Sequence, residues 1–330
     1  MAHRNGLKTA ITRRTLMAGA ALLPFAAPAI VRAESISPHA QLKLLLDWYY
    51  NPNHIPIRVA HAIGAFSANG IDVDIVEPAD PNDPPKLVAA GQADIAITYQ
   101  PQLTLQVDQG LPLARIGVLI DTPLNMLLAL GDGPIKTIAD LKGKRIGNSV
   151  GGFEDALLKT MLGTAGLTLA DVEIVNVNFA LAQSLLAGNV DAVIGAYRNY
   201  ELNILAIQGK TAQPFYVEQY GVPAYDELIF VANTEKAAQP VMAQFIRAIE
   251  AGVAATLNDP DAAWGHFIKG RPQLNDELNK RAFADTLPRL AHVTGAADPA
   301  RYEAFSRFMK DQGLIQTARP ASDYLVRPQG

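Results

Sequence analysis

Leu87-Val88-Ala89-Ala90-Gly91-Gln92-Ala93-Asp94-Ile95-Ala96-Ile97 is matched further along the chain by Ser184-Leu185-Leu186-Ala187-Gly188-Asn189-Val190-Asp191-Ala192-Val193-Ile194. Both read as a short helix, a glycine stop and a buried strand, in the pattern small-Gly-x-Ala/Val-Asp-apolar. A unit that occurs twice implies two lobes, each with its own sheet. In the first, strands are expected at 42–46, 71–76 and 93–97, with helices at 55–66 and 86–91 between them. Three strand–helix steps in one direction imply a parallel sheet. The pattern restarts near Gly131, with a helical turn and strand over 138–147, a helix at 154–163, and strands at 171–177 and 191–195. After Asp226, residues 228–232 read as a strand crossing back. The rest is mainly helical, over 240–258, 260–269, 276–286 and 299–312.

The N-terminus carries Arg4, Lys8, Arg13, Arg14 and Arg32 and no acid in its first 33 residues, with an apolar run over 16–31 that Pro24 and Pro28 interrupt. This reads as a cleavable export signal. Thr12-Arg13-Arg14-Thr15-Leu16-Met17 resembles the twin-arginine motif, and cleavage is expected near Ala33, with the mature chain in the periplasm. The run is too short and too proline-broken for a membrane anchor. The sequence contains no cysteine, which excludes a lipoprotein anchor, a disulfide framework, a thiolate metal site and a cysteine nucleophile. The 330 residues carry a formal charge of −4, and removing the basic leader makes the remainder more acidic still. Nucleic acid and anionic membranes are thereby disfavoured as partners, and a neutral or cationic small molecule fits better.

Leu46-Asp47-Trp48, Asn51-Pro52-Asn53-His54-Ile55-Pro56, Gly64-x-Phe66, Gly70-Ile71-Asp72-Val73 and Gly91-x-Ala93-Asp94-Ile95 form an ordered series. It continues through Ser149-Val150-Gly151-Gly152-Phe153-Glu154, Gly195-Ala196-Tyr197-Arg198-Asn199-Tyr200-Glu201, Pro223-Ala224-Tyr225-Asp226-Glu227-Leu228 and Pro272-Gln273-Leu274-Asn275. In this series the chain resembles the periplasmic binding proteins for thiamine-pyrimidine precursors, and the fungal pyrimidine synthases look like the same superfamily. The resemblance implies an α/β type II periplasmic binding protein, two Rossmann-like lobes with a ligand cleft between them. Lobe one is expected over 38–127 plus 228–330 and lobe two over 128–227. It further implies a monomer that binds a small pyrimidine-type ligand without a cofactor. Its partners would be an ABC permease and that permease's ATPase, through which alone it meets the membrane.

Trp48 follows the first strand, where it either stacks on a flat heteroaromatic ligand or fills the core. Carried over from the family, Tyr197 and Glu201 line the site, the carboxylate accepting from an exocyclic amine and a ring nitrogen proton. Arg198 stands where the family has tryptophan, to stack on a ring, pair with an anionic ligand, or face solvent. Gly151-Gly152, ahead of Phe153, either offers backbone N–H groups to the ligand or makes a tight turn. Asn51, His54, Tyr99, Gln100, Asn125 and Asp226 complete the expected ligand contacts, with His54 equally able to cap the next helix.

A synthase would hold pyridoxal phosphate through a lysine and consume one of its own histidines, and those positions fall on Thr98 and near Gln102. Without an amine no Schiff base forms there. The synthases' cysteine-rich iron segment is also missing, and no metal-ligand clustering of histidines replaces it. The sequence therefore reads as a binder and not an enzyme. A third reading keeps the fold and changes the ligand to an aliphatic sulfonate, taurine, nitrate or a riboflavin precursor.

Overall fold

A computed structural model describes residues 39–329, so the expected export signal and cleavage near Ala33 lie outside the described residues. Ten strands make two five-stranded sheets. The first contains β1 (Ala40–Leu45), β2 (Ile71–Val76), β3 (Ile95–Thr98), β4 (Leu113–Ile120) and β10 (Leu228–Asn233), in the order β2-β1-β3-β10-β4. The second contains β5 (Asn125–Leu130), β6 (Arg145–Asn148), β7 (Glu173–Asn176), β8 (Ala192–Tyr197) and β9 (Ala212–Tyr216), in the order β7-β6-β8-β5-β9.

Neither sheet is purely parallel. β10 pairs antiparallel with both β3 and β4, and β5 pairs antiparallel with both β8 and β9. Each sheet therefore receives one strand that arrives from the other side of the molecule. The expected parallel order holds only for β2-β1-β3 and for β7-β6-β8. Because β5 starts at Asn125, residues 125–127 belong to the second sheet and not to the first.

The repeated motif does the same mechanical work in both sheets. Gly91 and Gly188 take φ near +73° and +72°, the left-handed conformation that stops the preceding helix. The residue after each glycine donates its N–H back into that helix, Gln92 to Leu87 and Asn189 to Ser184. The motif aspartates then reach the neighbouring parallel strand. Asp94 Oδ2 accepts the Lys43 N–H at 2.9 Å and Asp191 Oδ2 accepts the Arg145 N–H at 2.8 Å. Lys236 pairs with Asp94, and the Arg145 guanidinium with Asp191.

The helices carry the proline and aspartate punctuation that made them legible. Pro240–Asn258, Pro260–Ile268 and Pro299–Asp311 start on proline, and Asp259, Asp276 and Asp298 cap with side-chain oxygens. Pro240–Asn258 buries Met242, Phe245, Ile249 and Val253 beneath the first sheet, each worth about 1.5–3 kcal/mol. It crosses the helix Ile55–Ala62 at Gly252, where a Cβ would stand 2.2 Å from the Pro56 carbonyl oxygen.

Two crossings connect the sheets, one between Ile120 and Asn125 and the other between Tyr216 and Leu228. Glu227 ties them together. Its Oε2 accepts the Leu124 N–H at 2.6 Å, the Asn125 N–H at 2.9 Å and the Tyr225 hydroxyl at 3.1 Å. Burial pushes this carboxyl up to about 7. Hydrogen bonds also span the cleft at both rims. Asn82 donates to the Ser149 carbonyl and accepts the Gly151 N–H, both at 3.0 Å. On the other side Asn199 donates to Asn53 at 2.7 Å and to Thr286 at 2.8 Å, and Asn203 donates to Asp285 at 2.8 Å.

Candidate functional site

The carboxyl ends of β1, β3 and β8 converge on a cavity with about 440 Å³ of empty space, part of it open to solvent. Five aromatic side chains line it: Trp48, Tyr99, Phe153, Tyr197 and Tyr200. Three acids face the same space, Asp47, Glu154 and Glu201, with Asn51, Asn53, Leu181 and Gly195 between them. None of these twelve residues is Lys, Arg or His.

Trp48 leaves β1 and is held by an edge contact from Phe179, ring centroids 4.7 Å apart, and by Tyr49 at 5.6 Å. Tyr99 and Phe153 pack together at 4.8 Å, joining a β3 terminus to a helix of the second lobe. Tyr197, at the end of β8, has a buried hydroxyl with no hydrogen-bond partner among the described residues. Asp47 is fixed behind them. Its Oδ2 accepts from the Tyr99 hydroxyl at 3.2 Å and its Oδ1 lies 2.9 Å from His54 Nε2. His54 Nδ1 accepts the Asn51 N–H, so Nε2 carries the proton donated to Asp47.

Glu201 begins the helix Glu201–Ile207, and its Oε2 accepts the Tyr197 N–H at 2.7 Å. Burial pushes its carboxyl up to about 7, opposed by the backbone donors of Tyr197 and its own residue. Glu154 lies in the first turn of the helix Phe153–Gly163, and its Oε2 accepts the N–H groups of Ser149 at 2.7 Å and Val150 at 3.1 Å. Burial pushes this carboxyl up to about 8 against those two bonds. Gly195 makes room for it: at φ +96° this residue carries no Cβ, and one placed there would stand 2.3 Å from Glu154 Oε1.

The structure thus gathers Trp48, Asn51, Tyr99, Phe153, Tyr197 and Glu201 around one space and puts the other expected contacts outside its lining. His54 sits one layer back, orienting Asp47. Gln100 and Asp226 bond each other's backbone, Gln100 Oε1 accepting the Asp226 N–H at 2.8 Å. The Asp226 carboxylate pairs with Arg301 at 3.0 Å and accepts from Tyr302 at 2.9 Å. Asn125 turns its Oδ1 to the Gly195 N–H, bracing β8 from behind. The backbone donors of Gly151 and Gly152 are already taken, by Asn82 Oδ1 and Asp155 Oδ2 at 3.0 Å each, so they are not presented to a ligand. Both glycines border a separate depression with Asn82 and Gln102.

Arg198 is the clearest departure from expectation. Its guanidinium forms a two-point pair with Glu218, at 2.6 and 2.8 Å, and stacks over Tyr216 with 4.5 Å to the ring centroid. It also donates to the Leu124 and Asn125 carbonyls, holding the same crossing whose N–H groups Glu227 holds. The arginine serves the hinge and not the cavity. Sequence reasoning missed Asp47, Asn53, Glu154, Leu181, Gly195 and Tyr200 as lining residues, although all but Leu181 stand within the motifs quoted above.

Among the described residues no group of three or more His, Asp or Glu is placed to hold a metal ion, and no helix is long and apolar enough to cross a membrane. Among solved structures, the alkanesulfonate-binding protein SsuA from Xanthomonas axonopodis pv. citri superposes with a TM-score of 0.70 at 17% identity, covering 87% of this chain and 98% of that one. SsuA from Escherichia coli gives 0.64 at 17% identity, covering 88% and 92%. The fold is therefore the two-lobed fold of periplasmic binding proteins. In sequence, a Haemophilus influenzae protein named for thiamine biosynthesis is 49% identical over 87% of this chain and 91% of its own length. A formylaminopyrimidine-binding protein of Halalkalibacterium halodurans is 33% identical over 77% and 79%. A 4-amino-5-hydroxymethyl-2-methylpyrimidine phosphate synthase of Uromyces fabae is 31% identical over 74% of each chain. Residues 51–263 match the family described as NMT1/THI5 like, and with these relatives the chain belongs to that family.

Proposed function

We propose that this chain is the solute-binding component of an ABC importer, capturing a pyrimidine precursor of thiamine of the hydroxymethylpyrimidine or formylaminopyrimidine type. One observation carries the reading: an aromatic cavity lined by three acids and by no cation. A flat heterocycle gains about 1–3 kcal/mol from each aromatic face it stacks on, with Trp48 and Tyr197 as the proposed platforms. An exocyclic amine satisfies Glu201, whereas a ligand lacking that donor leaves a buried acid unpaired at a cost of about 1–3 kcal/mol. A sulfonate or nitrate would meet three acids and no Arg, Lys or His among the lining residues, so the fold's likeness to a sulfonate binder does not extend to the ligand.

The relatives include both a binder and synthases, and the residues of this chain favour the binder. Thr98, at the position where a synthase would have its lysine, is buried at the end of β3 and offers no amine. In this reading the leader directs export through the twin-arginine route and is removed near Ala33. The mature monomer closes its two lobes, which part at the crossings before Asn125 and Leu228, around the ligand and delivers it to a membrane permease powered by an ATPase.

Isothermal calorimetry on the mature chain tests this with hydroxymethylpyrimidine, formylaminopyrimidine, taurine, an alkanesulfonate and nitrate. A pyrimidine is expected to bind, and Glu201→Gln to weaken it at least tenfold. Tight binding of an anion with no heat from either pyrimidine would sink the proposal.

A further inference from the structure

We propose that Glu154 enters the binding site as a neutral acid whose Oε1 hydroxyl donates a hydrogen bond to an acceptor atom of the ligand, complementing the acceptor that Glu201 supplies. The two oxygens of Glu154 are not equivalent. Oε2 accepts the Ser149 and Val150 N–H groups, so in the neutral acid it is the carbonyl oxygen and the proton sits on Oε1. Oε1 accepts nothing from the described residues, and it lies against the vacant side of Gly195 in the lining of the cavity. No cation among the lining residues compensates a charge there, and the neighbouring acids Asp155 and Glu227 oppose one. Burial acts in the same direction, pushing this carboxyl up to about 8 against its two backbone bonds.

The two acids are anchored beside Gly195 and Tyr197, two residues apart at the end of β8. A ligand spanning both presents a donor to Glu201 and an acceptor to Glu154. That describes a planar heterocycle bearing an exocyclic amine and, on another edge, a ring nitrogen, carbonyl or hydroxyl oxygen. The identity of this ligand rests on the pyrimidine reading, whereas the state of Glu154 does not.

Glutamine reproduces a neutral donor–acceptor side chain, with its carbonyl to the backbone and its NH2 to the cavity, while leucine removes both. Calorimetry with the pyrimidine that binds wild-type protein is expected to place Glu154→Gln within threefold of wild type and Glu154→Leu at least tenfold weaker, with thermal melts confirming that both variants fold. Infrared difference spectra of the unliganded protein at pH 7 are expected to show a protonated carboxyl C=O band that Glu154→Gln removes. A tenfold loss in Glu154→Gln, or no such band, overturns the proposal. Absence of binding by either pyrimidine would instead strike the ligand assignment, and the infrared measurement would still decide the state of Glu154.

Discussion

Replacing Gly195 by alanine puts a methyl group 2.3 Å from Oε1 and 2.6 Å from Cδ of Glu154, on a backbone at φ +96°. Ordinary contact needs about 3.4 Å, so the carboxyl must retreat by about 1 Å, enough to break its bonds to the Ser149 and Val150 N–H groups. Each lost bond costs about 1 kcal/mol, and left-handed strain on a residue with a Cβ adds about 1–2 kcal/mol. The sum is about 3–4 kcal/mol, or roughly 5–7 °C in Tm for a chain of this size. The strain belongs to the backbone, but the clash belongs to Glu154. In a Glu154→Ala background, the same glycine substitution should therefore cost only about 1–2 kcal/mol. Chemical denaturation of the four proteins of this double-mutant cycle measures the difference. Equal cost in both backgrounds would refute the claim that the missing Cβ exists to seat the carboxyl.

Glu154, Glu201 and Glu227 all have carboxyls raised by burial, to about 8, 7 and 7, so the folded chain holds protons that the unfolded chain releases above about 4.5. Their contribution is complete below that value and is lost as pH rises towards 8. The Tm of the unliganded protein should accordingly fall between pH 5 and pH 8.5, and a flat or rising profile contradicts the burial argument. Arg198→Ala should lower Tm while leaving pyrimidine affinity within threefold, since the guanidinium holds Glu218 and the first crossing; a tenfold affinity loss by calorimetry would return it to the site. Asn82→Ala removes two hydrogen bonds across the cleft, worth about 1 kcal/mol each, and should weaken the ligand roughly tenfold or more through faster dissociation in stopped-flow fluorescence. An unchanged dissociation rate would count against Asn82 as a clasp.

The architecture was legible where local chemistry decides it. The motif glycines, the proline starts and aspartate caps, and the alternation over 71–76 each act within a few residues, and the helix at 240–258 matches to its ends. β4 and β5 went unassigned because they are nearly continuous apolar runs without punctuation, and their place depends on pairing with β8, β9 and β10. The site divided along the same line. Side chains that follow a strand end directly, such as Trp48 and Tyr197, fell inside the cavity. Polar residues in or against the crossings, such as Gln100, Asn125, Arg198 and Asp226, could have faced either way. Their partners, Glu218, Arg301 and Tyr302 among them, are remote in sequence, and nothing local announces them. Glu154 was overlooked because its role depends on Gly195, on a strand of the same lobe that the chain reaches only after another strand and helix.

Burying three acids around an uncharged cavity is costly unless each is held by hydrogen bonds or left protonated. The chain uses both devices: Asp47 is held by Tyr99 and His54, Glu201 and Glu154 receive backbone N–H groups, and both glutamates have raised carboxyls. The nearby guanidinium that would have neutralised an acid, Arg198, is drawn away by Glu218. This arrangement makes the ligand the missing partner. An amine donor entering the cavity relieves Glu201, whereas an anion adds repulsion to desolvation that has no compensating cation. On the proposed pyrimidine reading, selectivity against sulfonates, nitrate and phosphate esters would follow from charge before any shape is considered, and the aromatic walls would need only to select for a flat ring. The proposed lobe closure would then have a purpose beyond capture, because a carboxyl discriminates among donors most strongly when water cannot take the donor's place.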